Sequence, residues 1–281
     1  MRVKSGRQDM TSLPYFEIHS FADPARAFSG NPAGVCLMER FPDDTVLLGI
    51  ASSNNLSETA FIVKTGDDLW DLRWFTPTLE VELCGHATFA AGAVVLENVL
   101  VTGEHANFDT KSGQLAVSRD TRSGGYAMDL PAIGYRPAKI NTDIQAALGL
   151  ENDPVEVLDI DRIHGAHYQM WVVSDEATVQ NLKPDHSALK RLDTNIIITA
   201  KGNDVDFVSR FFGPASGVDE DPVTGSAHCT LAPYWAEQLS KPRLSARQIG
   251  HRPGMLEAEP KDGRVTLYGH APRYLDGQIR I

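Results

Sequence analysis

Residues 217–239 read GVDEDPVTGSAHCTLAPYWAEQL. From Gly225 onward the stretch is apolar around the whole circumference of a helix, and such a helix must be buried on every side. A second stretch of the same kind, GHATFAAGAVVLE, lies at 85–97. Outward from these, the flanks also match. RWFTP at 73–77 returns as RFFGP at 210–214, 137 positions later, and CGHAT at 84–88 returns as TGSAH at 224–228, 140 positions later. A β-branched run precedes each block, TAFIV at 59–63 and NIIIT at 195–199. The three extra residues fall in SGVDEDPV. Ordered blocks in two close registers predict a duplicated unit. The boundary lies near residues 130–140, where LPAIGYRP breaks the pattern with Pro and Gly.

The remaining periodicity favours short strands. Alternating or β-branched runs predict strands at 15–21, 59–64, 70–75, 113–118, 168–173, 194–199 and 264–268, with Trp70, Leu72 and Trp74 on one face. Asp43 or Asp44 is placed to cap a helix carrying Val46, Leu47, Ile50 and Ala51. Asp143 is placed to cap another, through Leu148, which Gly149 would end. Many strands and two all-apolar helices imply sheets wrapped around central helices.

Composition narrows the function. The chain has 281 residues, 42% of them hydrophobic and 22% charged, values of a globular protein with a full core. A net charge of −11 without any Lys/Arg-rich run speaks against nucleic acid, whose phosphates call for a basic face. Cys36, Cys84 and Cys229 are odd in number and widely spaced, which suggests neither a disulfide framework nor a zinc motif. Nothing resembles a signal peptide or a membrane span. The expectation is a cytoplasmic protein with residues 1–13 as a loose extension.

Each repeated block runs strand, turn, Gly, small residue, apolar helix. The first free N–H groups of such a helix and the positive end of its dipole hold a carboxylate without any basic side chain. Two copies would aim two such termini at one cleft, and a small acidic metabolite is the natural guest. No glycine-rich nucleotide motif follows a strand, so no cofactor is indicated. His164 and His167 would point to opposite faces of a strand, which spoils a metal site. His228 and Cys229 diverge on their helix. Asp219 and Glu220 read as a solvated loop. No metal is expected.

The strings GNPAGV (30–35), SETAFI (57–62), FTPTLEVELCGHAT (75–88), GAHYQMW (165–171) and residues 217–239 stand in the order of the phenazine-biosynthesis PhzF-like family, which this chain resembles over roughly residues 15–240. The resemblance implies an α+β, diaminopimelate-epimerase-like fold. Its two pseudo-symmetric halves, 1–135 and 136–281, would each curl a mainly antiparallel sheet around a central helix, with the active site in the cleft between them. It also implies a cofactor-independent isomerase, with Glu58 as the proton-transferring carboxylate. Asp221 would assist as a second catalytic group, and Gly85, His86, Gly225 and Ser226 would bind substrate. The epimerases of this fold use two facing cysteines. Here Cys84 fills one place and Thr224 the other, and a hydroxyl is far too weak an acid for that work, so a two-thiol racemase is disfavoured. Cys84 then reads as a small buried hydrophobe. Alternatives are an epimerase with Glu58 and Asp221 as opposed bases, and a catalytically silent binding protein. A homodimer is expected, as the commonest soluble assembly.

Overall fold

The computed structural model describes residues 12–98, 100, 103–163 and 165–281. The first strand, Ser12–Ser20, lies antiparallel to Asn31–Met38. That strand runs parallel to Glu58–Lys64, and the helix Asp44–Asn54 lies in the connection, as parallel neighbours require a crossover. Glu58–Lys64 is antiparallel to Leu69–Phe75, which pairs antiparallel with Glu80–Val81 and parallel with His105–Thr110. A meander through Gly113–Asp120 and Gly125–Pro131 follows.

The same succession of ladders then recurs. Glu156–Ile163 is antiparallel to Ala166–Val172, which is parallel to Asn195–Lys201, which is antiparallel to Phe207–Gly213. Phe207–Gly213 pairs antiparallel with Val218–Asp221 and parallel with Leu244–Gln248. Gly254–Lys261 and Arg264–Gly269 complete a second meander. The two runs join into one connected sheet. Arg264–Gly269 pairs with Gly125–Pro131, and the last strand, Arg273–Arg280, returns to lie against Ser12–Ser20.

The helices Gly85–Glu97 and Gly225–Leu239 carry the core. In the first, every residue from His86 through Leu96 is buried, as its all-apolar surface demands. It packs closely enough on Gly113–Asp120 that a Cβ at Gly92 would stand 2.3 Å from Cβ of Val117, so only glycine fits there. Phe21 stacks on Phe89 with ring centroids 4.3 Å apart. In the second helix Ala227 through Ala232 are buried, and Trp235 stacks on Phe207 at 6.0 Å. Trp70, Leu72 and Trp74 face the core together.

Several expectations need correction. Residues 12 and 13 are part of the first strand, and residues 1–11 of the expected extension lie outside the described residues. The first strand ends at Ser20, because Phe21 takes a left-handed φ of 57°. Asn141, not Asp143, caps the third helix, Thr142–Leu148; its side chain accepts from the N–H groups of Asp143 and Ile144, and Gly149 ends the helix in the left-handed conformation. Glu220 is no solvated loop residue: it lies in strand Val218–Asp221 and accepts a two-pronged hydrogen bond from Arg210, at 2.7 and 2.9 Å. Arg73 grips Glu80 the same way in the first run, at 2.8 and 2.9 Å. No helix among the described residues is long and apolar enough to cross a membrane.

Candidate active site

The two buried helices begin at almost the same point. A Cβ on Gly85 would lie 3.8 Å from Cα of Gly225, and the reverse distance is also 3.8 Å, so the two N-termini face each other across backbone alone. The residues preceding them, Cys84 and Thr224, have extended backbone, and neither makes a side-chain cap hydrogen bond. The first-turn N–H groups are therefore left for another acceptor. Ser226, partly exposed, sits in the first turn of the second helix.

Glu58 is the first residue of its strand, and its carboxyl lies over this junction. Its Oε2 is 3.2 Å from Nε2 of His86, within ion-pair distance, yet neither atom makes a hydrogen bond. Burial first, then the negative charge of Asp221, pushes the Glu58 carboxyl up to about 8, while the Cys84 thiol pulls weakly the other way. His86 is buried, which holds its imidazole neutral by lowering it to about 4. Ser20 fixes the backbone there by donating its hydroxyl to the His86 carbonyl at 2.7 Å. Cys84 is buried in the core, as expected of a small hydrophobe, and its Sγ lies 3.6 Å from Nδ1 of His86. Its thiol is held well above the usual range by burial and by the Glu58 charge.

Asp221 approaches from the second run of strands. Oδ2 accepts from the Thr224 hydroxyl, and Oδ1 accepts from Nδ2 of Asn31 at 2.8 Å. Burial still raises this carboxyl to about 6. The turn that carries it is clamped by Gln248. Its Oε1 accepts from the Thr224 N–H at 2.9 Å, while Nε2 donates to the Asp221 carbonyl at 2.6 Å. The structure thus brings all six sequence-selected residues, Glu58, Gly85, His86, Asp221, Gly225 and Ser226, to one junction. Two contributors lie beyond the residues that the sequence singles out: Asn31, which falls in the GNPAGV string, and Gln248, which nothing local signals. His228 is fully buried with Nδ1 2.8 Å from the Thr224 carbonyl, and so supports its helix; His164 lies outside the described residues.

A buried carboxyl that titrates near neutrality, beside a neutral imidazole and the starts of two helices, is equipped to take a proton from carbon and give it back. The family model described as phenazine biosynthesis-like protein matches residues 18–277. A protein of Pseudomonas aeruginosa named as an uncharacterized isomerase is 44% identical over 270 residues, 96% of this chain and 99% of its own. The crystal structure of a PhzF-family phenazine biosynthesis protein from Enterococcus faecalis superposes with a TM-score of 0.86 at 42% identity, covering 96% of this chain and 100% of that one. A hydroxyproline epimerase from Agrobacterium vitis shares the fold alone, with a TM-score of 0.67 at 11% identity over 96% and 93% of the two chains. The chain belongs to the phenazine biosynthesis-like family and is a PhzF-like isomerase.

Proposed function

We propose that the protein moves a proton within a small carboxylated metabolite, with Glu58 as the single acid/base and no cofactor. The observation that carries this reading is the Glu58 carboxyl, raised to about 8 at the meeting point of two helix N-termini. The ionised carboxylate takes a proton from a carbon made acidic by a neighbouring carboxyl or double bond. Negative charge then grows on the substrate, within reach of the free N–H groups beside Gly85 and Gly225, the neutral His86 and the Ser226 hydroxyl. Glu58 returns the same proton to a second carbon. Burial keeps that proton from exchanging with water and matches the acid to the operating pH. Asp221 assists by holding the second helix start in register and by raising Glu58 through its charge.

The repeated ladders and the matched Arg73–Glu80 and Arg210–Glu220 pairs support a duplicated unit, with halves at 1–135 and 136–281 and the site between them. In that correspondence Glu58 and Asn195 both open the strand at the parallel crossover. Asn195 is neutral, buried, and satisfied by Ser216 and the Ala215 N–H, which favours one base over two. The competing reading, an epimerase with opposed carboxylates, draws on the raised Asp221. Both Asp221 oxygens are already engaged, which disfavours it. We place the protein in the cytoplasm as a homodimer.

The test begins with thermal-shift screening against small aromatic and cyclic carboxylic acids, beside Glu58→Gln. The expected result is a ligand that stabilises both proteins and is turned over by wild type alone. A fully active Glu58→Gln would end the single-base reading. Deuterium gained from solvent with racemisation of a chiral substrate would move the assignment to the epimerase.

A further inference from the structure

We propose that Glu58, Cys84 and His86 also form a binding site for a thiophilic divalent cation of the zinc type, which competes with substrate for the cleft. One ligand atom from each residue lies within 4.8 Å of the other two. The closest separations are 3.2 Å between Oε2 of Glu58 and Nε2 of His86, and 3.6 Å between Sγ of Cys84 and Nδ1 of His86. Donor atoms bonded to tetrahedral zinc at ~2.0–2.3 Å stand about 3.3–3.8 Å apart. The two short contacts run to different nitrogens of one imidazole, so an ion held by a single His86 nitrogen would draw the carboxylate or the thiol in from at most 4.8 Å.

A second observation points to a ligand. Oε2 of Glu58 and Nε2 of His86 face each other at 3.2 Å without forming a hydrogen bond, both are buried, and His86 is only 6% exposed. Buried groups of this kind are normally paired. Cys84 and His86 flank Gly85 at the rigid start of a buried helix, and Glu58 is anchored at the head of a strand between two neighbours. Thiolate, imidazole and carboxylate together select zinc, cobalt or cadmium over magnesium or calcium. Three protein ligands leave a fourth position open, as in sites that admit a small molecule. The protons of the thiol and of the Glu58 carboxyl pass to solvent as the sulfur–metal and oxygen–metal bonds form. The competition rests on the proposed role of Glu58; the binding itself does not.

Two measurements on the full chain test this. In wild-type crystals soaked with zinc, anomalous diffraction should place one ion per chain within about 2.0–2.3 Å of the three donors. No ion there, or an adventitious ion only on the surface, overturns the site. In solution one equivalent of cobalt(II) should give the intense near-ultraviolet band of sulfur-to-cobalt charge transfer. Cys84→Ser should lose the band, while Cys36→Ala and Cys229→Ala should keep it. A band absent from wild type, or surviving Cys84→Ser, refutes the proposal. Neither readout needs turnover, so an active Glu58→Gln would remove the proton shuttle and leave the metal site standing.

Discussion

Glu58→Gln makes a prediction about stability that is independent of any substrate. The side chain is 16% exposed, and its carboxyl is moved from 4.5 to about 8, chiefly by burial. A carboxyl raised on folding binds its proton more tightly in the native state, so its stabilising contribution is full below about 4.5 and drains away as pH rises to about 8. That displacement corresponds to about 5 kcal/mol at 1.36 kcal/mol per unit. Relaxation and water entry around a side chain that still touches the cleft reduce it to about 2–3 kcal/mol. Glutamine has the same shape and never ionises. Glu58→Gln should therefore melt close to wild type at pH 5 and roughly 4–12 °C above it at pH 9, taking about 2–4 °C per kcal/mol for a chain of this size. Because the Asp221 charge is the second cause of the shift, the gap should narrow in an Asp221→Asn background. Calorimetry or fluorescence melting across pH 5–9 measures it. A gap that is flat, or that closes as pH rises, would refute the assignment of Glu58 as a buried, high-pKa carboxyl.

Two further outcomes follow from geometry. Gly92→Ala places a methyl 2.3 Å from Cβ of Val117 and should cost about 1–3 kcal/mol by overpacking; the cost should be smaller in a Val117→Gly background, which removes that Cβ, as read by denaturant titration. Asn31→Ala removes the 2.8 Å donor to Asp221 and should raise that carboxyl above about 6, as read by NMR titration of the Asp221 side chain; Asn31→Asp should raise it further because it adds a like charge.

Much of this architecture could be read from local signals, because burial writes itself into composition. Helices 85–97 and 225–239 had to be central because no face of either is polar. The flanking strands followed from β-branched runs within a residue or two of their ends. The site residues were named through the PhzF-like strings; composition alone would have left Glu58 a strand-edge glutamate. What stayed hidden was relational. Gln248 holds the Asp221 turn from 24 residues beyond Thr224, and nothing in its neighbourhood marks it. The nearness of Cys84 to Glu58 was hidden too, because Glu58 reaches it only through the crossover. The pairing of Glu220 with Arg210 depends on a turn that reverses the chain between them.

The return of Arg273–Arg280 to the side of Ser12–Ser20 has a consequence for how the protein folds. Its partners stand more than 250 positions apart in the chain, and contacts between such distant segments cost much chain entropy, so this ladder should close late in folding. Until it does, the hairpin of Ser12–Ser20 and Asn31–Met38 carries an unpaired edge that invites pairing with other chains. Removing the strand Arg273–Arg280 would strip that edge bare.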